Sequence, residues 1–208
     1  MRRVPILLLL LAVGCSRATT PPVKISAKQD VGVIRTLAVM PAIASPTMIG
    51  DPAAPEVVSK LVFEAASRQT TWSVVDPAKT RASLEKIPAD SPEVRAGALA
   101  SKVRADAALT PTISTYRERV GSAYGVSEPA SVSLQLLLVR AGHKDASWKA
   151  DYTVTQEPLA YNLWNLWGVM RAGPKWLTAE ELARIGVDEA VDRLATLGAL
   201  PSAKSPGG

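Results

Sequence analysis

The chain has 208 residues, 47% of them hydrophobic, and a formal charge of +5. That length suits one domain with its own core, and a mild cationic excess with no Lys or Arg run excludes a nucleic-acid stripe. One cysteine and one histidine exclude an intrachain disulfide and leave no visible His/Cys metal cluster.

The N-terminus opens with Met1, Arg2 and Arg3, then an apolar run from Val4 to Val13, then Gly14 and Cys15. A basic start, a short apolar core and small residues before a cut site make a secretory signal. The run is about ten residues, short of the roughly 20 a spanning helix needs. Pro5 also argues against a long helix. A small residue directly before a lone cysteine resembles a bacterial lipoprotein signal. There the thiol is alkylated with a diacylglycerol and the cysteine becomes the first residue. The usual pattern has Leu three positions before the cysteine; here Ala12 stands there, with Leu11 one step further out. The resemblance implies loss of residues 1–14, lipidation at Cys15, and the membrane as partner through that lipid. An ordinary signal peptide with an incidental cysteine is the competing reading. Ser16 stands where an aspartate would retain a lipoprotein in the inner membrane. That points to the outer membrane, facing the periplasm. Removing Arg2 and Arg3 leaves about +3 on the side chains. Residues 15–31, with "TTPPVKISAKQD", read as lipidated cysteine and flexible tether.

"VIRTLAVMPA" predicts a buried strand over Thr36–Met40. "IASPTMIGDPAAP" predicts a loop. A helix follows from Pro55 to Arg68, with Val57, Val58, Leu61, Val62 and Ala65 on one face. "TWSVVDP" is the next strand, and Asp76 with Pro77 starts a second helix whose Leu84 and Ile87, like Val75, face the core. Ser91 and Pro92 start a third, with Val94, Ala98, Leu99 and Val103 inward. Strands follow at Ala107–Arg119, Ala130–Arg140 and Trp148–Thr155, separated by a loop with Gly121, Gly125 and Pro129 and by the turn "AGHKDAS". A helix over Pro158–Arg171 comes next. Thr178 and Glu181 then form a capping box, and Gly186 is expected to break the last helix, because the apolar stripes before and after it are rotated.

These elements predict a single α/β domain of two or three layers. Its mixed sheet has about five strands, in the order β-α-β-α-α-β-β-β, followed by C-terminal helices. The domain spans residues 32–156, a helical extension 157–200, and a disordered tail 201–208.

Four stretches resemble a group of envelope lipoprotein domains. "TLAVMPA" is similar to that group's "xVAVLPF" strand, and "WSVVDPAKTRASL" to its "F-x-V-V-D" strand and helix. "SKVRADAALTPTISTY" is similar to its "L-G-A-D-x-V-L-x-G" stretch, with Val103 and Arg104 in place of Leu-Gly. "VRAGHKDASWKADY" resembles its "D-x-x-T-G-x-x-x-W" hairpin, Gly142 being the turn glycine and Trp148 the tryptophan, with Ala141 where Thr often stands. The group comprises the curli-secretion lipoproteins, the lipoprotein activators of penicillin-binding proteins, and the N-terminal domain of the Tol-system periplasmic protein. The resemblance covers Val33–Thr155 and implies a protein-binding domain of the cell envelope.

Acid/base chemistry needs groups held together. His143 lies in a turn, Asp106 and Glu118 lie near strand ends, and Asp145 and Asp151 have no sequence-visible partner. No phosphate loop, nucleophile elbow, cofactor motif or metal-ligand spacing is present. The leading reading is therefore a non-enzymatic, lipid-anchored periplasmic adaptor that binds another envelope protein or copies of itself. Its candidate partner-binding residues are Tyr161, Trp164 and Trp176, in an aromatic extension holding three of the chain's five tryptophans. Packing of that extension into the core is the competing account. A subunit of a curli-type outer-membrane secretion channel is the alternative. It ranks lower because Arg117, Glu118 and Arg119 interrupt the apolar alternation a spanning strand needs. An envelope enzyme without a recognisable motif ranks third.

Overall fold

The computed structural model describes residues 23–27, 31–88, 91–156 and 176–199. Among the described residues there are nine strands and four helices. They are β1 (Lys24–Ala27), β2 (Thr36–Val39), β3 (Ile43–Gly50), α1 (Ala54–Ser67), β4 (Ser73–Val74), α2 (Pro77–Leu84), α3 (Pro92–Val103), β5 (Ala107–Arg117), β6 (Val120–Gly121), β7 (Val126–Glu128), β8 (Ser131–Arg140), β9 (Ala146–Thr155) and α4 (Ala179–Ala199). Seven strands form one mixed sheet in the order β1-β9-β8-β5-β2-β4, with β3 also on β5; β6 and β7 pair separately. β2 and β3 run parallel to β5, whereas β8 is antiparallel to it.

The helices begin where local chemistry says they should. The Asp76 carboxylate accepts from Ala78 and Lys79 N–H at 2.7 and 3.1 Å. Ser91 Oγ accepts from Val94 N–H at 3.3 Å. Thr178 and Glu181 exchange side-chain and backbone bonds at 2.9 and 3.1 Å. Each cap satisfies amides that the helix itself leaves unpaired.

α1 and α4 pack on one face of the sheet against Leu109, Leu136, Leu138, Trp148 and Tyr152. α2 and α3 pack on the other face against Ala38, Met40, Ala108 and Val139. β5 begins with Ala107 and Ala108, small enough for a helix layer on either side. Its first five residues are all buried. Asp106, just before β5, accepts N–H bonds from Arg35 and Thr36 at 2.8 and 2.9 Å, which fixes β2 beside β5. Burial opposes ionisation of this carboxyl. The two N–H donors and the Arg140 and Arg35 guanidinium groups outweigh it and hold the carboxyl below its ordinary range.

Several expectations are corrected. The predicted loop after β2 contains β3, which extends β2's line along β5. Met40 N–H donates to the Leu109 carbonyl at 2.9 Å, so residues of that parity in the first half of β5 point their backbone groups toward β2. Pro111 has no N–H to give on that side, and the edge breaks between Val39 and Ile43. The register of β3 also shifts between Ala44 and Ile49, around Pro46. Lys24–Ala27, read as tether, is an edge strand on β9. The sheet therefore has seven strands, not about five. Ala98, expected inward, is exposed, and Ala96, Gly97 and Ala100 are buried instead. The helix expected over Pro158–Arg171 lies outside the described residues.

Gly186 does not break α4, which runs unbroken from Ala179 to Ala199. A Cβ there would stand 2.3 Å from Tyr152 Cδ1, so the glycine lets the helix seat directly on the buried Tyr152 ring. Leu182 before the glycine and Val187, Ala190, Val191 and Leu194 after it are all buried because α4 meets α1 as well as the sheet, while Ile185 stays exposed.

Gly186→Ala should lower stability by about 1–3 kcal/mol. Overpacking wins over the roughly 1 kcal/mol that alanine adds to a helix interior, because Tyr152 is only 1% exposed and cannot swing away. Thermal unfolding checks this. Asp106→Ala should cost about 1–3 kcal/mol at neutral pH. A lowered folded pKa means the wild-type advantage is full above the unfolded carboxyl pKa of about 3.9. It is lost as pH falls through the folded value. Urea unfolding of both proteins from pH 7 to pH 3 should show the gap closing toward acid.

Candidate functional site

One end of the sheet gathers the features that could meet a partner. There β3 and β5 finish, β8 starts and β9 finishes. The β6–β7 hairpin extends beyond them, its turn held by Ser122 Oγ, which accepts from Tyr124 and Gly125 N–H at 3.2 and 3.1 Å. Gly121 has φ +125, a conformation L side chains rarely adopt, so it permits the twist into that turn.

The chain is clasped at this end. Gln156 N–H donates to the Ala130 carbonyl at 3.2 Å, and Gln156 Oε1 accepts from Leu177 N–H at 2.7 Å. Trp176 N–H donates to the Ala123 carbonyl at 2.7 Å, and the Arg119 guanidinium donates to the Trp176 carbonyl. Glu118 Oε2 accepts from Ala179 N–H at 3.0 Å, tying the hairpin stem to the start of α4. The chain therefore leaves at Gln156 and returns at Trp176 in nearly the same place. Tyr161 and Trp164 belong to the intervening stretch and lie outside the described residues, as does Cys15. Trp176 is half-buried against the hairpin.

Exposed apolar side chains concentrate here. Tyr124 is 84% exposed, Ile49 61% and Val120 53%, the three highest values among the large exposed hydrophobics. Sequence reasoning missed all three. Only an aromatic residue inside the Gly/Ser-rich "GSAYGVS" could have signalled one of them. Below this apolar rim, the Tyr116 hydroxyl is pushed up to about 12 by burial and then by the nearby Glu180, Glu118 and Asp51 carboxylates. It stays protonated and uncharged at neutral pH.

The adjoining sheet face, opposite α1 and α4, is left uncovered beyond α3. Its hydroxyls bond across strands, Ser114 to Ser133 at 3.0 Å, Ser133 to Thr153 at 2.9 Å and Ser131 to Thr155 at 2.8 Å. Gln135 Nε2 donates to Asp151 Oδ1 at 2.8 Å. This face is polar and self-satisfied, so it needs no helix to cover it. An open cavity of about 410 Å³ beside it mixes Glu93 and Asp145 with Lys144 and Lys149.

The other sequence candidates do not come together. His143 and Asp145 are exposed in the β8–β9 turn, Asp151 pairs with Lys149 at 3.2 Å, and Asp106 works as the strand clamp. Among the described residues, no three His, Cys, Asp or Glu side chains are placed to hold a metal ion. No described helix is long and apolar enough to cross a membrane.

No family model matches the sequence, and no curated protein matches it. Solved structures share the fold. The PelC dodecamer from Paraburkholderia phytofirmans is 12% identical with a TM-score of 0.51, over 84% of this chain and 96% of that one. A single-residue variant of that dodecamer in another crystal form is 14% identical at the same TM-score of 0.51, over 83% and 98%. Lipoprotein GNA1162 from Neisseria meningitidis is 16% identical over 66% and 96%, and its TM-score of 0.42 is too low to carry weight. At such identities the likeness is one of fold alone.

Replacing an 84%-exposed side chain removes no core contact. Tyr124→Ala should therefore leave stability within roughly 0.5 kcal/mol of wild type. It should also reduce binding of an apolar dye such as ANS. Thermal unfolding and dye fluorescence check the two halves; a large loss of stability would show that Tyr124 packs rather than protrudes.

Proposed function

We propose that this protein is a non-enzymatic, lipid-anchored component of the bacterial envelope whose domain is a repeated subunit of a homo-oligomeric assembly. The observation that carries this reading is the fold shared with the PelC dodecamer across 96% of that chain. Almost no part of the dodecamer's subunit lacks a counterpart here. This favours the channel-type alternative, a repeated subunit, over a single adaptor. It does not require membrane-spanning strands.

Anchoring comes from Cys15, with the lipid holding the protein at the outer membrane. From Cys15 to Val23 is eight residues, a span of up to about 29 Å. That reach lets the domain orient its apolar end toward the bilayer or toward a neighbour in the assembly. The aromatic stretch clasped between Gln156 and Trp176, with Tyr161 and Trp164 in it, favours a further role of that end in docking an envelope protein.

The full chain purified in mild detergent should have a mass that is a fixed multiple of its own, measured by light scattering across a tenfold range of concentration. A monomer at every concentration would overturn the repeated-subunit reading. Separately, Cys15→Ser should abolish labelling by a palmitate analogue and release the protein from the membrane fraction. Equal labelling of both forms would remove the anchor from the proposal.

A further inference from the structure

The two helix layers carry opposite charge. α2, α3 and their flanks expose Lys79, Arg81, Lys86, Lys102 and Arg104. Among the described residues, Glu85, exposed, and Glu93, half-buried, stand against them and the half-buried Arg95, while the Asp76 carboxylate caps α2. On the other face of the sheet the balance reverses. α1 carries Glu56 and Glu64 against Lys60, and Arg68 follows it. α4 carries Glu180, Glu181, Asp188, Glu189 and Asp192 against Arg184 and Arg193. The four cations of the α1–α4 layer are already engaged within it. Arg68 pairs with Asp188, Arg184 with Glu64 and Glu180, Arg193 with Glu189, and Lys60 stands 4.0 Å from Glu64. Glu56 has no salt bridge, and Asp192 accepts only an uncharged bond from Gln69 at 2.6 Å.

We infer that the basic α2–α3 layer of one copy docks on the acidic α1–α4 layer of the next copy. This inference rests on the repeated-subunit reading above and names the surfaces that build it. The reason is symmetry. A two-fold contact would set each layer against itself, basic on basic or acidic on acidic, and like charges in contact oppose association. A head-to-tail contact sets basic on acidic and leaves one unused layer of each sign, so the contact repeats until a ring closes. Beside the basic layer lies the uncovered, hydroxyl-bearing sheet face, where Thr112 and Ser114 are half-buried and Thr153 is exposed. It is polar, and its hydroxyls already bond to one another, so a neighbour can rest on it without stranding them.

Two charge-reversed forms of the full chain test the contact, in detergent and at low salt. Lys79→Glu with Arg81→Glu makes both layers acidic. Glu56→Lys with Asp192→Lys moves the other layer toward basic. All four sites are exposed, so each form should keep the wild-type melting temperature. Each form alone should lose the oligomer, at least tenfold in apparent association constant. Mixing the two should restore it, because every contact in the mixture again joins opposite signs. Wild-type mass in both reversed forms would overturn the inference while leaving the repeated-subunit reading intact. A monomeric wild type would overturn both. Reversed forms that do not recover on mixing would also defeat the head-to-tail contact. The competing use of the basic layer is an anionic membrane surface. If Lys79→Glu with Arg81→Glu keeps the oligomer but no longer sediments with phosphatidylglycerol vesicles, the layer serves the membrane and the inference is wrong.

Discussion

Strand β5 is buried on both faces where it starts and on one face where it ends, and the rest of the molecule is fitted to that change. At its start Ala107 and Ala108 leave room for α1 and α3 to approach the sheet from opposite sides. Further along, Thr112 and Ser114 turn hydroxyls to the face that α2 and α3 do not reach. A helix over that part would strand those hydroxyls unless it brought partners for them. Cross-strand bonds among Ser114, Ser133 and Thr153 satisfy the Ser114 hydroxyl without one. The domain is thus a three-layer structure at one end and a two-layer structure at the other.

Most of this was legible wherever the determining chemistry is local. Asp76–Pro77, Ser91–Pro92 and Thr178-x-x-Glu181 each announce a helix start within four residues. The alternation Val132, Leu134, Leu136 and Leu138 gives the buried face of β8 directly. What escaped was set across the fold. β3 looks like a loop because Pro46, Gly50 and its small residues carry no strand pattern; it is a strand because β5 has free backbone groups beside it. β1 is a strand because β9 is long enough to pair with it. Gly186 looks like a helix breaker from its neighbours in sequence, but its role is set by the Tyr152 ring thirty-odd residues away.

The candidate site was legible in the same uneven way. Trp176 stands out in the sequence as an aromatic outside the core pattern, and its backbone is held at the apolar end by Arg119 and Ala123. Ile49, Val120 and Tyr124 drew none, because a single apolar residue in a loop says nothing about what stands next to it in space. Their common address depends on β3, β5 and the hairpin ending together. The acids and His143 remain apart for the converse reason. Each is spent on a local task or left in water, so no pair is forced into the close contact that acid/base chemistry requires.

The charged layers and the apolar end lie along different directions of the same sheet. The layers face outward from its two surfaces, whereas Ile49, Val120 and Tyr124 sit beyond its strand ends. A contact made through the layers therefore leaves the apolar end of every copy uncovered, and pointing the same way where the copies are related by rotation about an axis along the strands. Arg117, also exposed at that end, adds a cation beside the apolar groups. In a ring so built, the exposed apolar area of one subunit is multiplied by the number of copies. Attachment through several weak contacts held in fixed geometry is far stronger than through one. Assembly through charge and attachment through apolar groups then reinforce each other without sharing a residue.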